Sequence, residues 1–186
     1  MATQISTETK IYKKQLRLYK KSLRTQLLTS RFTTETSVEN ELYRKKYKMS
    51  GCVYCSPDPI SKTILPDSNM FILEMNNDTN KIIGIGLIKN RPISSKLRVY
   101  NNGNYNRYVY IGKYRISRDE MTSEEQLVMK IFDILCFHGN KHMKRGQGLK
   151  SFPVELLFKL SKELDLINYI GKMFKSRLLQ IENENN

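Results

Sequence analysis

Residues 70–88 read MFILEMNNDTNKIIGIGLI, and this stretch carries the strongest signal for the fold. Two apolar runs of strand length, residues 70–75 and 81–88, flank a polar cluster of turn-forming residues. This arrangement predicts a β-hairpin. Gly84 and Gly86 are two residues apart, so they lie on one face of the second strand. Bare glycine at such positions indicates a bulge, or a place where a neighbouring backbone or a ligand approaches closely.

A second strand pair and a helix are predicted after the hairpin. Residues 97–100 and 108–116 flank an Asn-Gly dipeptide at 102–103, which is a strong turn signal. A helix then begins at Thr122, because Thr122 and Glu125 have the spacing of a capping box. The residues expected on its buried face are Leu127, Val128, Ile131, Ile134 and Leu135.

The N-terminal part of the chain is strongly basic. In residues 8–30 apolar side chains recur every three to five positions and lysine or arginine fills most other positions, which predicts a cationic helix with one apolar stripe. A linker at residues 32–37 and a short helix at 39–48 are expected next. Residues 51–59 contain two prolines and a glycine, so they are predicted to form an ordered loop.

Together these elements predict an α+β chain. Its sheet is expected to be small and mostly antiparallel, or an open barrel, with flanking helices and a basic N-terminal helical arm. The predicted organisation is an arm at residues 1–50, a core domain at 51–170 and a C-terminal segment at 171–186. In that segment Gly171 interrupts or ends a helix, and a disordered tail follows.

The charge of the chain favours a polyanionic partner. The net charge is +14 and the isoelectric point is about 9.7. Nucleic acid is the expected partner; an anionic membrane surface and an inert basic surface are the alternatives.

No apolar run is long enough for a transmembrane helix, and the polar N-terminus lacks the features of a signal peptide. Three cysteines, an odd number, argue against a disulfide framework. We therefore expect an intracellular protein of the host cytoplasm or nucleus, or of a virion assembled there.

Residues 89–118 are the main candidate for a nucleic-acid interface. This stretch holds eight lysines and arginines, no Asp or Glu, and five tyrosines. If residues 107–116 form one strand, Tyr108, Tyr110 and Tyr114 share a face that can stack bases, while cations on the other face contact phosphates. The alternative is that the tyrosines pack in the core. The predicted contacts in this stretch are Arg98, Tyr100, Arg107, Tyr108, Tyr110, Lys113, Tyr114 and Arg115.

A glycine-rich basic loop at residues 139–150 is the second candidate. Its glycines allow backbone N–H groups to turn toward an anion, and its cations add positive charge. The loop lacks the ending of a P-loop. The predicted phosphate contacts are Lys144, Arg145 and Lys150, with Lys141 and His142 nearby; an ordinary solvated turn is the alternative.

A structural zinc site is the one cofactor that the spacing suggests. Cys52 and Cys55 are separated by two residues, and His138 and His142 by three, which are ligand spacings. A site of two cysteines and two histidines would join the loop at 51–59 to the end of the helix. The alternative is a packed Cys-x-x-Cys turn with unrelated histidines.

The strand at residues 81–88 resembles the central strands of PUA-like domains of the EVE, ASCH and YTH types. That resemblance covers about residues 70–152 and implies a small barrel that binds RNA or modified bases, although this chain has no tryptophan for an aromatic cage. The composition also resembles that of uncharacterised proteins of large eukaryotic DNA viruses.

A second resemblance concerns the basic loop. The sequence at 145–148 is similar to the acetyl-CoA pyrophosphate loop of GNAT acetyltransferases. In that family a strand precedes the loop and a helix follows at once, whereas Pro153 delays the next helix here.

No Ser-His-Asp or Cys-His grouping supports catalysis. We therefore expect non-catalytic binding of RNA or DNA. A GNAT-like acetyltransferase and a virion structural or genome-packaging protein are the alternatives.

Overall fold

The computed structural model describes residues 2–94, 96–140 and 142–184. The α-helices are α1 (Ala2–Ser22), α2 (Thr34–Lys46), α3 (Ser123–Phe137), α4 (Val154–Leu160) and α5 (Leu166–Glu184). The strands are β1 (Gln26–Phe32), β2 (Cys52–Ser56), β3 (Asn69–Asn76), β4 (Lys81–Lys89), β5 (Tyr108–Gly112), β6 (Tyr114–Ser117) and β7 (Leu149–Ser151).

The predicted hairpin is confirmed, and it forms the centre of an open five-stranded sheet. β3 and β4 are antiparallel, and the strand order of the sheet is β6-β4-β3-β1-β7. β1 is parallel to β3, while β7 and β6 pair antiparallel with β1 and β4. β2 and β5 form a separate two-stranded antiparallel ribbon. The fold is therefore α+β with an open, mostly antiparallel sheet, as the sequence predicts.

Two apolar layers enclose the sheet, because the side chains of its strands alternate between its faces. One face packs against α3, α4 and α5, where Phe71 of β3 stacks on Phe174 of α5 with ring centroids 5.4 Å apart. The other face packs against the ribbon, whose Val53 and Tyr54 are fully buried. Each large apolar side chain buried in this way contributes roughly 1.5–3 kcal/mol.

Helix α3 begins as predicted, and its predicted buried face is partly correct, since Val128 is buried and Leu135 packs against the core. Thr122 caps it in a capping box with Glu125. Leu127 and Ile134, two of the side chains predicted to be buried, are 59% and 62% exposed. The buried side chains of α3 are Glu125, Val128, Met129, Phe132, Cys136 and Phe137. Glu125 is held there by Arg177 of α5, with Nη2 and Oε2 2.7 Å apart. Because the buried face of α3 contains the charged residue Glu125, the apolar periodicity alone did not identify that face correctly.

The predicted N-terminal arm is helical only as far as Ser22, and the helix predicted at residues 8–30 is wrong beyond that point. Residues 26–32 form β1 instead and lie between β3 and β7 in the sheet. α1 docks on α4, with the rings of Tyr19 and Phe158 5.4 Å apart. A boundary near residue 50 therefore does not separate an arm from the core.

Three other sequence predictions need correction. The loop predicted at residues 51–59 contains β2. Residues 97–100 form no strand, and residues 108–116 are divided between β5 and β6, which belong to different sheets. α5 continues through Gly171 to Glu184, so the predicted tail is helical as far as the description extends. Residues 185–186 of that tail lie outside the described residues.

No helix in the described ranges is long and apolar enough to cross a bilayer.

Close packing explains the two glycines of β4. Both face the ribbon, and a Cβ atom added at Gly86 would collide with the hydroxyl of Tyr54. At Gly84 an added Cβ would lie 2.6 Å from Glu74 Oε2 and 2.8 Å from Arg115 Nη2. The predicted close approach is thus made by side chains from β2, β3 and β6. The predicted bulge also occurs in β4: Glu74 and Met75 of β3 pair with Gly84 and Ile82, so Ile83 is the extra residue.

We expect Gly86→Ala to lower the free energy of unfolding by about 2–3 kcal/mol, because Tyr54 is fully buried and has no room to move. Gly171→Ala is the matched control. Gly171 lies inside α5 with no neighbouring heavy atom within 4 Å of an added Cβ, so this variant should gain about 0.5–1 kcal/mol. Urea unfolding of both variants measures the difference. Equal stabilities would contradict close packing at Gly86.

Candidate nucleic-acid interface

The predicted tyrosine platform is divided between two parts of the structure. Tyr108 and Tyr110 lie in β5 of the ribbon, whereas Tyr114 begins β6 at the edge of the five-stranded sheet. The chain passes from one sheet to the other at Lys113, so the alternation of one continuous strand does not apply. The three tyrosines do not form one stacking face, and that prediction is wrong.

Two of the predicted tyrosines have a structural role. Tyr110 is 1% exposed, and its hydroxyl accepts a hydrogen bond from the N–H of Ile60 at 3.2 Å. Tyr100 is 5% exposed, and its hydroxyl accepts one from Asn40 Nδ2 at 3.0 Å. Burial is the main cause that raises the pKa of both tyrosines. Neither ring is available to a nucleobase, and Tyr108 is half-buried against the same core cluster.

Arg115 is also internal rather than a phosphate contact. Its Nη2 lies 2.7 Å from Glu74 Oε2 and its Nε 2.9 Å from Glu74 Oε1. Tyr54 donates a further hydrogen bond to Glu74 Oε1 at 2.7 Å. Burial lowers the pKa of Arg115, but the charge and hydrogen bonds of Glu74 outweigh it, so the pKa is raised overall. The positive charge of Arg115 is therefore neutralised inside the protein.

The remaining cations of the predicted set lie at the surface. Arg107 donates from Nη2 to Asn104 at 3.2 Å, and Lys144 is half-buried with its Nζ 2.8 Å from Asn80 Oδ1. The exposed members are Arg98, Arg107, Lys113, Arg145 and Lys150.

One groove brings exposed residues of the 89–118 stretch together. It lies where β5 and β6 diverge beside the end of β4 and has a volume of about 410 Å³. We call it the fork groove. Its more buried members are Leu87, Ile88, Ile93 and Gly112, and its exposed members are Asn69, Lys89, Arg91, Ile111, Lys113 and Tyr114.

The fork groove combines an apolar surface with positive charge. Tyr114 and Ile111 both line the groove and are 38% and 40% exposed. Arg91 is paired with Asp67 through Nε and Oδ1, 2.6 Å apart at the surface. In the described part of the chain Lys89 and Lys113 form no ion pair, so their charge is available to an incoming anion.

Lys113 and Tyr114 of this groove are among the contacts predicted from sequence, whereas its apolar members are not. Ile111 follows the buried Tyr110 in β5, so strand alternation places it outward. That alternation was the signal that could have identified it. Ile93 lies between strands in a segment without periodicity, and its place in the groove depends on a hydrogen bond from its N–H to the carbonyl of Val109.

The basic loop lies at the opposite end of β3. Residues 142–148 cross the ends of β1 and β3, where Asn77 donates a hydrogen bond to the carbonyl of Lys144 at 3.1 Å. Lys141, named with this loop in the sequence prediction, lies outside the described residues. The loop leads into β7 and not directly into a helix, which is the same departure from the acetyltransferase pattern that the sequence indicated.

The predicted zinc ligands do not form a site. Cys52 and Cys55 are three apart in β2, so their side chains point to opposite faces of the ribbon. Among the described residues no three His, Cys, Asp or Glu side chains are grouped to hold a metal ion, and this includes Cys52 and Cys55 with His138 and His142. The prediction of a zinc site at Cys52, Cys55, His138 and His142 is therefore wrong.

Comparison with known proteins found no relative of this chain. The chain matches no family model, no curated protein and no solved structure.

We expect the cysteines to be unreactive in the folded protein. Burial raises the pKa of the Cys52, Cys55 and Cys136 thiols to about 12. At pH 8 about one thiol in ten thousand is then ionised, and the thiolate is the reactive form. A disulfide reagent should label none of the three in native protein and all three in guanidinium. Rapid labelling of any thiol before unfolding would show that the burial is incomplete.

Proposed function

We propose that the protein binds single-stranded nucleic acid, RNA or DNA, through the fork groove. The observation that carries this proposal is that exposed Tyr114 and Ile111 line the same groove as two lysines without an ion pair in the described part of the chain, Lys89 and Lys113. An aromatic ring beside cations is the combination that proteins use to stack a base and contact the adjacent phosphates.

The size of the groove supports an unpaired base as its occupant. Its volume of about 410 Å³ exceeds the roughly 150 Å³ of a cavity that holds a benzene ring, so it has room for a nucleobase and part of its sugar. A base reaches such a site when it is unstacked, as in a single strand or a loop. Stacking on one ring is worth about 1–3 kcal/mol and tolerates any base.

Electrostatic attraction supports the same partner over a longer range. The net charge of +14 attracts a polyanion to the whole surface, while the groove gives the contact a defined position. Lys113 and Tyr114 are adjacent in sequence and both line the groove. A base on Tyr114 would therefore have a cation close to its flanking phosphate.

Replacing Tyr114 tests the stacking contact. We expect Tyr114→Ala to weaken binding of a labelled single-stranded oligonucleotide about tenfold in fluorescence anisotropy, and Tyr114→Phe to change it by less than about twofold, because the ring is retained. Tyr47→Ala is the matched control, since Tyr47 is 55% exposed on another part of the surface. Equal affinities for Tyr114→Ala and Tyr47→Ala would contradict the proposal.

The same titrations at several salt concentrations test the interactions with phosphate. Removing one lysine that neutralises a phosphate should make the plot of log affinity against log salt shallower by about 0.7. Lys89→Gln and Lys113→Gln should show this change, whereas Lys159→Gln, an exposed lysine of α4, should retain the slope of the unmodified protein. An equal change in all three variants would indicate diffuse attraction with no defined site.

A further inference from the structure

A row of cations on the outer face of α1 forms a second basic surface. α1 carries six lysines and arginines and one acid, Glu8, so it holds +5 of the net charge of +14. Four of these cations are exposed and recur at spacings of four, three and four residues: Lys10, Lys14, Arg17 and Lys21. Residues at such spacings lie on one face of a helix. We call these four residues the α1 stripe, which is about 16 Å long at 1.5 Å per residue.

The α1 stripe faces away from the rest of the protein because the opposite face of α1 is docked. The rings of Tyr12 and Tyr19 lie 5.5 and 5.4 Å from the ring of Phe158 in α4. Each cation of the stripe is two residues from one of these tyrosines, which is about 200° around a helix of 3.6 residues per turn. Docking on α4 therefore turns the stripe toward solvent.

The charge of the α1 stripe is not compensated within the described part of the chain. There, Lys20 is the only cation of α1 that forms an ion pair, with its Nζ 3.2 Å from Glu155 Oε1. Two pairs of stripe residues are four positions apart, and like charges at that spacing destabilise a helix. A polyanion bound along the stripe would relieve this repulsion.

Residues 62–64 connect α1 with the fork groove. Lys20, near the end of α1, lines a cavity of about 320 Å³ together with Thr63 and Ile64. The carbonyl of Ile64 accepts a hydrogen bond from Asn90 Nδ2 at 2.9 Å, and Asn90 is flanked in sequence by two residues of the fork groove. Lys62, exposed beside Thr63, adds a cation along this connection.

Strand pairing also brings the two surfaces to one end of the sheet. α1 ends four residues before Gln26, the first residue of β1, and Gln26 pairs with Met70 near the start of β3. Asn69 of the fork groove pairs with Lys89, the last residue of β4. Neighbouring strands are about 4.8 Å apart, so Gln26 lies roughly 10 Å from Lys89. One strand of nucleic acid can therefore reach both surfaces.

We propose that a single strand bound in the fork groove continues over Lys62 onto the α1 stripe, whose cations bind its phosphates without sequence preference. This inference rests on the proposed function and adds a second part to the same interface. At about 3.4 Å per nucleotide a stacked hexamer is about 20 Å long and a 20-mer about 65 Å. Only the longer strand can occupy the groove and the stripe together.

An anionic membrane is a less suitable partner for the stripe. A helix that lies on a membrane buries its apolar face among the lipids, and the apolar face of α1 is occupied by α4. Of the described side chains of α1, only Ile11 and Leu18 are large, apolar and exposed. A row of cations is instead complementary to phosphates that follow one another along a strand.

Salt dependence at two strand lengths tests the inference in the unmodified protein. A labelled hexamer and a labelled 20-mer of oligothymidylate would be titrated by fluorescence anisotropy at several salt concentrations. Lys62 and the four stripe residues add five cations for the 20-mer. Its plot of log affinity against log salt should therefore be steeper than that of the hexamer by about 3.5, at about 0.7 for each phosphate. Equal slopes would overturn the inference without affecting the fork groove.

A matched pair of variants locates the additional contacts. Replacing all four stripe residues by glutamine should weaken binding of the 20-mer at least about tenfold and binding of the hexamer by less than about twofold. Circular dichroism should show unchanged helix content, because the replaced side chains are exposed and glutamine is a good helix former.

The control variant removes the same charge from exposed positions outside both surfaces, by glutamine at Lys46, Lys48, Lys81 and Lys130. It should weaken binding of the 20-mer by less than about threefold, since it changes only the diffuse attraction. Equal losses in the stripe variant and the control variant would mean that no defined track exists and would overturn the inference.

Two further measurements separate the inference from the alternatives. If Tyr114→Ala weakens neither oligonucleotide, the fork groove is rejected. If the hexamer depends on Tyr114 and the 20-mer does not depend on the stripe, only the continuation onto α1 is rejected. Vesicles of phosphatidylserine and phosphatidylcholine that bind the unmodified protein but not the stripe variant, with 20-mer binding retained in that variant, would assign the stripe to a membrane and overturn the inference.

Discussion

The buried carboxylate of Glu74 joins the sheet to the ribbon, because it accepts hydrogen bonds from Arg115 of the sheet and from Tyr54 of the ribbon. Glu74 belongs to β3 and Arg115 to β6, and the pair crosses β4 above Gly84. Tyr54 of the ribbon donates to the same carboxylate, so one acidic side chain connects the sheet to the ribbon. An apolar pair could fill the same volume, but it would not fix the direction of the Tyr54 ring, because hydrogen bonds are directional and apolar contacts are not.

The fork groove depends on this arrangement. With Arg115 turned inward to Glu74, its neighbour Tyr114 in β6 points to the opposite face of the strand and remains 38% exposed. β5 meanwhile follows β2, because Tyr110 is buried in the ribbon layer. The inward side chains of Tyr110 in β5 and Arg115 in β6 therefore make the two strands diverge at Lys113. The fork groove lies between the diverging strands.

Part of this structure could be predicted from sequence, and the failures have identifiable causes. The hairpin and the capped start of α3 have strong local signals, and both are confirmed. β1 was missed because it carries Thr29 and Ser30 as buried polar residues and follows a long helical pattern. The assignment of Arg115 to the surface failed because a basic side chain shows no sign in sequence that an acid forty-one positions away will bury it. The surface position predicted for Lys113 is found in the structure, because an exposed side chain depends less on such distant partners.

A double-mutant cycle across the ion pair tests the central claim most directly. Glu74→Gln, Arg115→Met and the combined variant would be unfolded in urea. Each single change leaves a buried charge without its partner, so we predict a loss of about 3–5 kcal/mol for each. The combined variant removes both charges and should lose less than the sum of the single losses by about 2 kcal/mol or more. Losses that add to within about 0.5 kcal/mol would contradict the claim that Glu74 and Arg115 act as one coupled buried pair.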